Sequence, residues 1–239
     1  DDGSVLKRYG LTRPFIMYTG GIDPRKNIEG LIKAYGLLPG EMRKNLQLAV
    51  VCTIQDADRQ RLLSLARQQG VTEQELRFPG YVDDEELVYL YNVCTLFVFP
   101  SFHEGFGLPA LEAMACGAPV IGADASSIPE VIGRSDALFD PAHPRAIAEK
   151  IVEVLDNPAF RQSLREHGFQ QARAFTWDLS AKKALEAFDA VHACRQAAQR
   201  TTVALPHRPR MAYLSPLPPQ QTGIADYSAR LLPALERRV

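Results

Sequence analysis

Two glutamates, Glu104 and Glu112, flank a glycine-rich segment of the chain. Gly105 and Gly107 allow backbone conformations and close approaches to a ligand that other residues do not. Pro109 suits the first position of a helix, so the segment predicts a turn followed by a helix whose N-terminus could bind a phosphate. Ionised carboxylates are strong hydrogen-bond acceptors, which favours a ligand rich in hydroxyl groups. The alternative is that both carboxylates only complement the helix dipole.

A second turn carries two adjacent cations, Arg25 and Lys26. It begins with Gly20 and Gly21, directly after an apolar segment, and it precedes a stretch with helical periodicity. Two cationic side chains beside a helix N-terminus can together hold a diphosphate. The alternative is a solvated turn rich in Asp, Pro and Lys.

Three further polar features are weaker candidates. Ser126 and Ser127 follow a predicted strand and could help to hold a phosphate, but both are equally good helix caps. His103 precedes the first glutamate and could contact a sugar, although a structural or solvent-exposed role explains it equally well. Asp56 and Asp58 have the Asp-x-Asp spacing of a cation and diphosphate site, but they precede a polar helix, where aspartate is a common cap, and we favour that structural interpretation.

Short apolar segments alternate with amphipathic ones through most of the chain, which predicts an α/β fold. The expected architecture is a Rossmann-like parallel sheet with helices on both faces. The predicted strands are residues 15–19, 46–52, 76–79, 96–99, 120–123 and 137–139. The predicted helices are about residues 27–38, 58–69, 85–92, 109–116, 144–155, 158–175 and 179–200. The candidate turns follow strands, and the carboxyl edge of an open α/β sheet is where ligands bind.

Composition excludes several other classes of protein. The net charge of −1 gives no electrostatic basis for binding nucleic acid or an anionic membrane, so any phosphate site must be local. No apolar segment approaches the ~20 residues of a membrane-spanning helix. The four cysteines lack the spacing of metal ligands, which indicates thiols in a reducing cytoplasm. The first residue is not methionine, so we expect a piece of a longer protein.

Residues 102–109 and 112–121 together resemble the signature block of retaining glycosyltransferases of family 4, which have the GT-B fold. The resemblance implies that this chain carries the C-terminal, donor-binding half of that fold. It implies that Glu104 lies against the donor sugar and that Glu112 binds the nucleotide ribose.

The resemblance also assigns the cationic turn to the donor diphosphate. Arg25 and Lys26 would hold the diphosphate and stabilise the departing nucleotide. Many family members place the arginine immediately after the first glycine, where this chain has Gly21, so the role of Arg25 follows only a subset of the family. The predicted catalytic residues are Glu104, Arg25 and Lys26. The predicted donor-binding residues are Gly20, Gly21, Tyr81, Val82, Gly105, Phe106, Gly107, Leu108 and Glu112.

By the same resemblance, the protein is a metal-independent hexosyltransferase of polysaccharide biosynthesis that needs no cofactor. The expected donor is a nucleotide-diphosphate sugar, with GDP-mannose favoured, and the expected acceptor is a saccharide or a lipid-linked saccharide. The acceptor would bind to an N-terminal domain outside this chain, so the chain alone should be inactive or weak. We expect a cytoplasmic location, with peripheral association of the full-length protein at the inner face of the membrane, and no nucleic-acid partner.

Domain organisation is expected to change near residue 200, where a proline-rich segment begins. Residues 1–200 are predicted to form the nucleotide-sugar-binding domain. A strand at 210–214, a glycine turn and a helix through residue 235 resemble the start of a second transferase module. The alternative is a linker and a helix that packs on the first domain.

Two other functions remain open. The domain could be a non-catalytic nucleotide-sugar sensor or scaffold, or a GT-B enzyme of another reaction, such as a phosphorylase or an epimerase. A scaffold needs none of the four charged residues of the predicted site, and no motif for a pyridoxal phosphate lysine stands out.

Overall fold

The computed structural model describes residues 2–198, 215, 217–218 and 223–236. The chain divides into two compact units, Asp1–Arg173 and Ala174–Val239. All residues of the predicted site lie in the first unit. The predicted strand at 210–214 lies outside the described residues.

The first unit is built on a six-stranded parallel sheet. Its strands are β1 (Phe15–Thr19), β2 (Gln47–Val51), β3 (Leu76–Arg77), β4 (Leu96–Phe99), β5 (Val120–Ala123) and β6 (Leu138–Phe139). They are ordered β3-β2-β1-β4-β5-β6, and every neighbouring pair is parallel. The order changes direction between β1 and β4, which makes this pair the topological switch point of a doubly wound sheet. The predicted Rossmann-like α/β fold is confirmed.

Helices pack around this sheet in the first unit. They are α1 (Asp2–Arg8), α2 (Ile28–Gly36), α3 (Gly40–Lys44), α4 (Asp56–Gln68), α5 (Asp84–Val93), α6 (Leu108–Ala115), α7 (Ile128–Ile132), α8 (Pro144–Asp156) and α9 (Pro158–Arg173). Two 3₁₀ turns cover Pro24–Lys26 and Ser135–Ala137. The longer helices lie close to their predicted bounds. The sequence did not predict α1, α3 and α7, because helices of one or two turns are too short to show a periodic apolar face.

The strands are buried because their sequences are apolar on both faces. Every residue of β2, β4 and β5 is buried, as a parallel sheet covered by helices on both sides requires. Helix α8 buries Ile147, Ile151 and Val154 on one stripe, which is the spacing of an amphipathic helix. Asp83 caps α5 by accepting a hydrogen bond from the Glu86 N–H at 2.9 Å.

The second unit contains α10 (Trp177–Ala198) and α11 (Gly223–Glu236). Its buried cluster joins Ala181 of α10 to Leu231 and Leu235 of α11. The sequence predicted that the first domain extends to residue 200, whereas the contacts group α10 with α11. An amphipathic pattern shows that a helix has an apolar face, but it does not show which partner covers that face.

Candidate functional site

The cationic turn and the glycine-rich turn meet at the carboxyl edge of the sheet because β1 and β4 are adjacent strands. Lys26 Nζ lies 2.8 Å from both carboxylate oxygens of Glu104. The N–H of Phe102 donates to the carbonyl of Arg25 at 2.7 Å. A backbone bond and an ion pair therefore join two turns that are far apart in sequence.

Asn27 connects the same two turns to a third loop. Its side-chain amide donates to the carbonyls of Pro100 at 3.1 Å and Pro141 at 2.9 Å, the second of which follows β6. Asn27 has a left-handed backbone with φ 56°, which asparagine tolerates better than most residues. A Cβ atom at Gly30 would lie 2.2 Å from the Asn27 amide oxygen, so the glycine leaves space for this side chain. Sequence reasoning did not identify Asn27, because a buried asparagine has no periodic signal.

The loop after β5 braces the glycine-rich turn from its other side. The Ser126 hydroxyl donates to the Glu104 carbonyl at 2.7 Å and accepts from the Glu104 N–H at 3.2 Å. The Ser127 hydroxyl donates to the carbonyl of Phe106 at 2.7 Å. Ser127 precedes α7 without a side-chain capping bond. Both serines therefore fix the backbone around Glu104, a role that the sequence did not predict.

The glycine-rich turn leads into α6 as predicted, but the helix begins one residue before Pro109, the predicted first position. Gly107 has φ 111°, a region that favours glycine, and α6 begins at the next residue, with Pro109 in second place. A Cβ atom at Gly105 would meet nothing within 4 Å, so the turn faces open space there. Phe106 and Leu108 are exposed large apolar side chains beside that space. The turn can therefore be approached by a ligand.

Glu112 is held by a buried tyrosine. The Tyr91 hydroxyl of α5 donates to Glu112 Oε2 at 3.1 Å, and Tyr91 itself is 1% exposed. Burial raises the pKa of the Tyr91 hydroxyl, and the negative charge of Glu112 raises it further. Glu112 is otherwise an exposed residue. Sequence reasoning missed Tyr91, which looks like any other aromatic residue of the core.

The glycines of the cationic turn pack against a second buried tyrosine. The Tyr18 hydroxyl donates to the carbonyl of Gly21 at 2.7 Å. A Cβ atom at Gly20, where φ is 143°, would lie 2.6 Å from that hydroxyl. Burial raises the pKa of Tyr18, with the charge of Glu104 as the next cause. Gly20 and Gly21 thus shape the turn.

Arg25 and Lys26 have different surroundings. Lys26 is mostly buried and paired with Glu104, whereas the Arg25 side chain is 62% exposed and pairs with Asp23 at 2.8 Å. This hydrogen bond from Arg25 lowers the pKa of the Asp23 carboxyl. Arg25 lies at the mouth of the site and Lys26 lies inside it.

The remaining predicted residues lie farther along the edge or outside it. Tyr81 and Val82 follow β3, two strands from β1, with Tyr81 78% exposed and Val82 buried. His103 is exposed beside Glu104. Asp56 and Asp58 lie in the first turn of α4, and Asp58 pairs with Arg61 at 3.3 Å. The predicted capping role is wrong, because Gln55 is the N-cap residue of this helix.

The described part of the chain contains no group of three or more His, Cys, Asp or Glu residues placed to hold a metal ion. Within the same residues, each helix is too short or too polar to cross a membrane. The expectation that no cofactor is needed stays a prediction.

The doubly wound parallel sheet, with charged loops at its switch point, defines a Rossmann-like α/β protein. Residues 7–171 match the family model "Glycosyl transferases group 1". The chain belongs to the glycosyl transferases group 1 family. This confirms the glycosyltransferase resemblance predicted from the sequence.

Named relatives agree with this assignment. The chain is 43% identical over 185 residues to the serotype-specific mannosyltransferase WbdA of Escherichia coli, covering 77% of this chain and 23% of WbdA. It is 39% identical over 185 residues to O-antigen chain mannosyltransferase B of Escherichia coli, covering 77% of this chain and 48% of that protein. The chain thus spans about a quarter to a half of the length of these relatives.

A solved structure supports the fold. Sucrose-phosphate synthase from Thermosynechococcus elongatus superposes with a TM-score of 0.66 at 28% identity, covering 80% of this chain and 49% of that chain. The match spans about half of the sucrose-phosphate synthase chain. The expected GT-B fold class is confirmed, whereas the donor-binding role of this part of the fold stays a prediction.

Proposed function

We propose that the first unit binds the nucleotide-diphosphate sugar of a retaining, family 4 hexosyltransferase, with GDP-mannose as the favoured donor and a saccharide as the acceptor. The observation that carries this proposal is the contact of Lys26 Nζ with both oxygens of Glu104, 2.8 Å away, at the switch point of the sheet. The pair places a cation for phosphate beside an acceptor for sugar hydroxyls. The names of the mannosyltransferase relatives support the choice of sugar.

The chemistry follows from the charges of this site. Negative charge grows on the diphosphate as it leaves the sugar, and a fixed cation stabilises that charge most where water is excluded. Lys26 is the buried cation, and the exposed Arg25 can turn from Asp23 towards the phosphates. Glu104 orients the sugar and stabilises positive charge that develops at the anomeric carbon.

The rest of the donor lies along the same edge in this proposal. Glu112, which Tyr91 holds through Oε2, accepts hydrogen bonds from the ribose hydroxyls. The base lies against Tyr81 and Val82 at the end of β3. Because Pro109 has no N–H group, the backbone donors for phosphate come from the glycine-rich turn before it.

The acceptor site lies outside the first unit in this proposal. We propose that the acceptor binds another part of the full-length protein, that no metal takes part, and that this chain alone transfers little sugar. The cytoplasmic location, the membrane association and the second transferase module remain proposals of the same kind.

Thermal shift and calorimetry on the 239-residue chain with GDP, UDP and ADP and their sugars test this proposal. A ligand at a hundred times its Kd stabilises the folded state by about 2.7 kcal/mol. We expect Glu112→Ala to lower the affinity for the nucleotide about tenfold, the loss expected for a charged hydrogen bond. Glu149→Ala on the surface of α8, whose partner is the exposed Arg145, is the matched control. If the folded chain binds none of these nucleotides and nucleotide sugars, the proposal is refuted.

The other functions predicted from the sequence give different results in an activity assay. A scaffold or sensor would bind the donor but would not hydrolyse it, even in the full-length protein. A GT-B enzyme of another reaction would convert the donor without transferring sugar to a saccharide.

A further inference from the structure

We propose that Glu104 has a second role, which is to make the site prefer the intact donor over the spent nucleoside diphosphate. It does so by competing with the diphosphate for Lys26. This inference rests on the proposed function, since it concerns the same donor site.

The competition follows from the geometry of the site. Lys26 Nζ contacts both carboxylate oxygens of Glu104 at 2.8 Å, and the two side chains are only 17% and 10% exposed. The positive charge that a phosphate needs is therefore already paired with a carboxylate. Arg25 is paired with Asp23, so it does not replace Lys26 as the partner of Glu104.

The backbone of Glu104 is fixed beside the turn that carries Lys26. Its backbone N–H and carbonyl are both bonded to the Ser126 hydroxyl, and the Phe102 N–H is bonded to the carbonyl of Arg25. These bonds hold the two turns together. A ligand must draw Lys26 away while the carboxylate stays in place.

The two ligands differ in what they offer to the carboxylate that remains. A nucleoside diphosphate takes Lys26 and leaves a mostly buried carboxylate without its cation and beside an anion, which is costly. An intact donor also takes Lys26, but its sugar hydroxyls can donate to Glu104 in place of the ammonium group. Glu104 therefore weakens the binding of the product more than the binding of the donor. This difference favours release of the product after transfer.

Calorimetry with GDP and GDP-mannose on four forms of the chain tests the inference: wild type, Glu104→Gln, Lys26→Gln and the double variant. We expect Glu104→Gln to tighten GDP binding about fivefold and to weaken GDP-mannose binding, since the neutral amide no longer competes with the diphosphate for the Lys26 ammonium group. In the Lys26→Gln background the same change should tighten GDP binding by less than twofold, because the competition acts through Lys26. Glu149→Gln should change neither affinity.

The outcomes separate this inference from the proposed function. Unchanged or weaker GDP binding by Glu104→Gln, while wild type binds both ligands, overturns the inference alone. Equal tightening in both backgrounds also overturns it, since the effect would then be plain repulsion of the phosphate. If wild type binds none of GDP, UDP, ADP and their sugars, the proposed function fails and this inference fails with it. Circular dichroism checks that each variant is folded, and Glu104→Ala provides a second variant with the same expected direction for GDP.

Discussion

Removing the hydroxyl of Tyr91 should weaken nucleotide binding without disturbing the fold. Tyr91→Phe keeps the buried ring, which packs edge-on against Phe97 with centroids 5.6 Å apart. It deletes the 3.1 Å hydrogen bond to Glu112 Oε2, so the carboxylate is free to rotate in solvent. The variant therefore isolates the positioning of Glu112 from its charge.

The size of the effect follows from the exposure of the pair. A hydrogen bond to a charged group contributes about 1.5–3 kcal/mol, but the exposed carboxylate regains water when the bond is lost. We therefore expect a loss of about 1 kcal/mol in binding, or roughly fivefold in the Kd for GDP. The Tyr91→Phe variant leaves no buried polar group without a partner, because its former partner Glu112 is exposed. The free energy of unfolding should therefore change by less than about 1 kcal/mol.

Calorimetry with GDP and with inorganic pyrophosphate, which has no ribose, is the assay. Tyr91→Phe should lower the affinity for GDP and leave that for pyrophosphate unchanged. Tyr35→Phe is the matched control, because its buried hydroxyl donates to the Leu46 carbonyl at 2.9 Å, away from the site. It should destabilise the fold by about 1 kcal/mol and leave GDP affinity unchanged. Equal binding of GDP by wild type and Tyr91→Phe, or an equal loss for pyrophosphate, would refute the reasoning.

Two further predictions concern stability. Asn27→Ala should lower the free energy of unfolding by about 3 kcal/mol in urea denaturation, because two buried carbonyls lose their donor and alanine is strained at φ 56°. The control is Asn92→Ala at an exposed position, which should lower the free energy of unfolding much less. Equal losses in the two variants would contradict the argument. Burial raises the pKa of the Cys52 thiol from 9.0 to about 11, so the unfolded chain loses this proton first and stability should fall as the pH rises from 9 through 11. Under reducing conditions the free energy of unfolding should fall by up to about 2 kcal/mol by pH 10.5, and by less in Cys52→Ala. Cys194→Ala removes an exposed thiol and should lose stability with pH as wild type does. Identical pH profiles for all three proteins would show that Cys52 does not titrate as argued.

The strands were predictable because their sequences carry a strong local signal. A parallel strand that is buried on both faces is an unbroken apolar run, and the predicted bounds of β1, β4 and β5 match the structure. Gly107 and Gly117 were predictable boundaries of α6, since both have the positive φ angles that glycine adopts at low cost.

The partners of the site residues were much less predictable. Tyr35 and Tyr91 are both buried tyrosines on helices, yet one hydroxyl bonds a backbone carbonyl and the other bonds Glu112. Ser126 and Ser127 suited both a phosphate and a helix cap by sequence, but they bond the backbone of the turn that carries Glu104 and Phe106. Residue type and local pattern do not distinguish these outcomes, because each depends on which loop lies opposite.

The sequence by itself determined the strands, the glycine-rich turn, the cationic turn and the kind of ligand that such turns suit. Only the tertiary structure decided that Lys26, rather than Arg25, faces Glu104, and that Arg25 turns to Asp23. The physical reason is the order of the strands. β1 and β4 become neighbours only when the sheet assembles, and their adjacency brings two distant turns to one edge, where opposite charges with little access to water must pair.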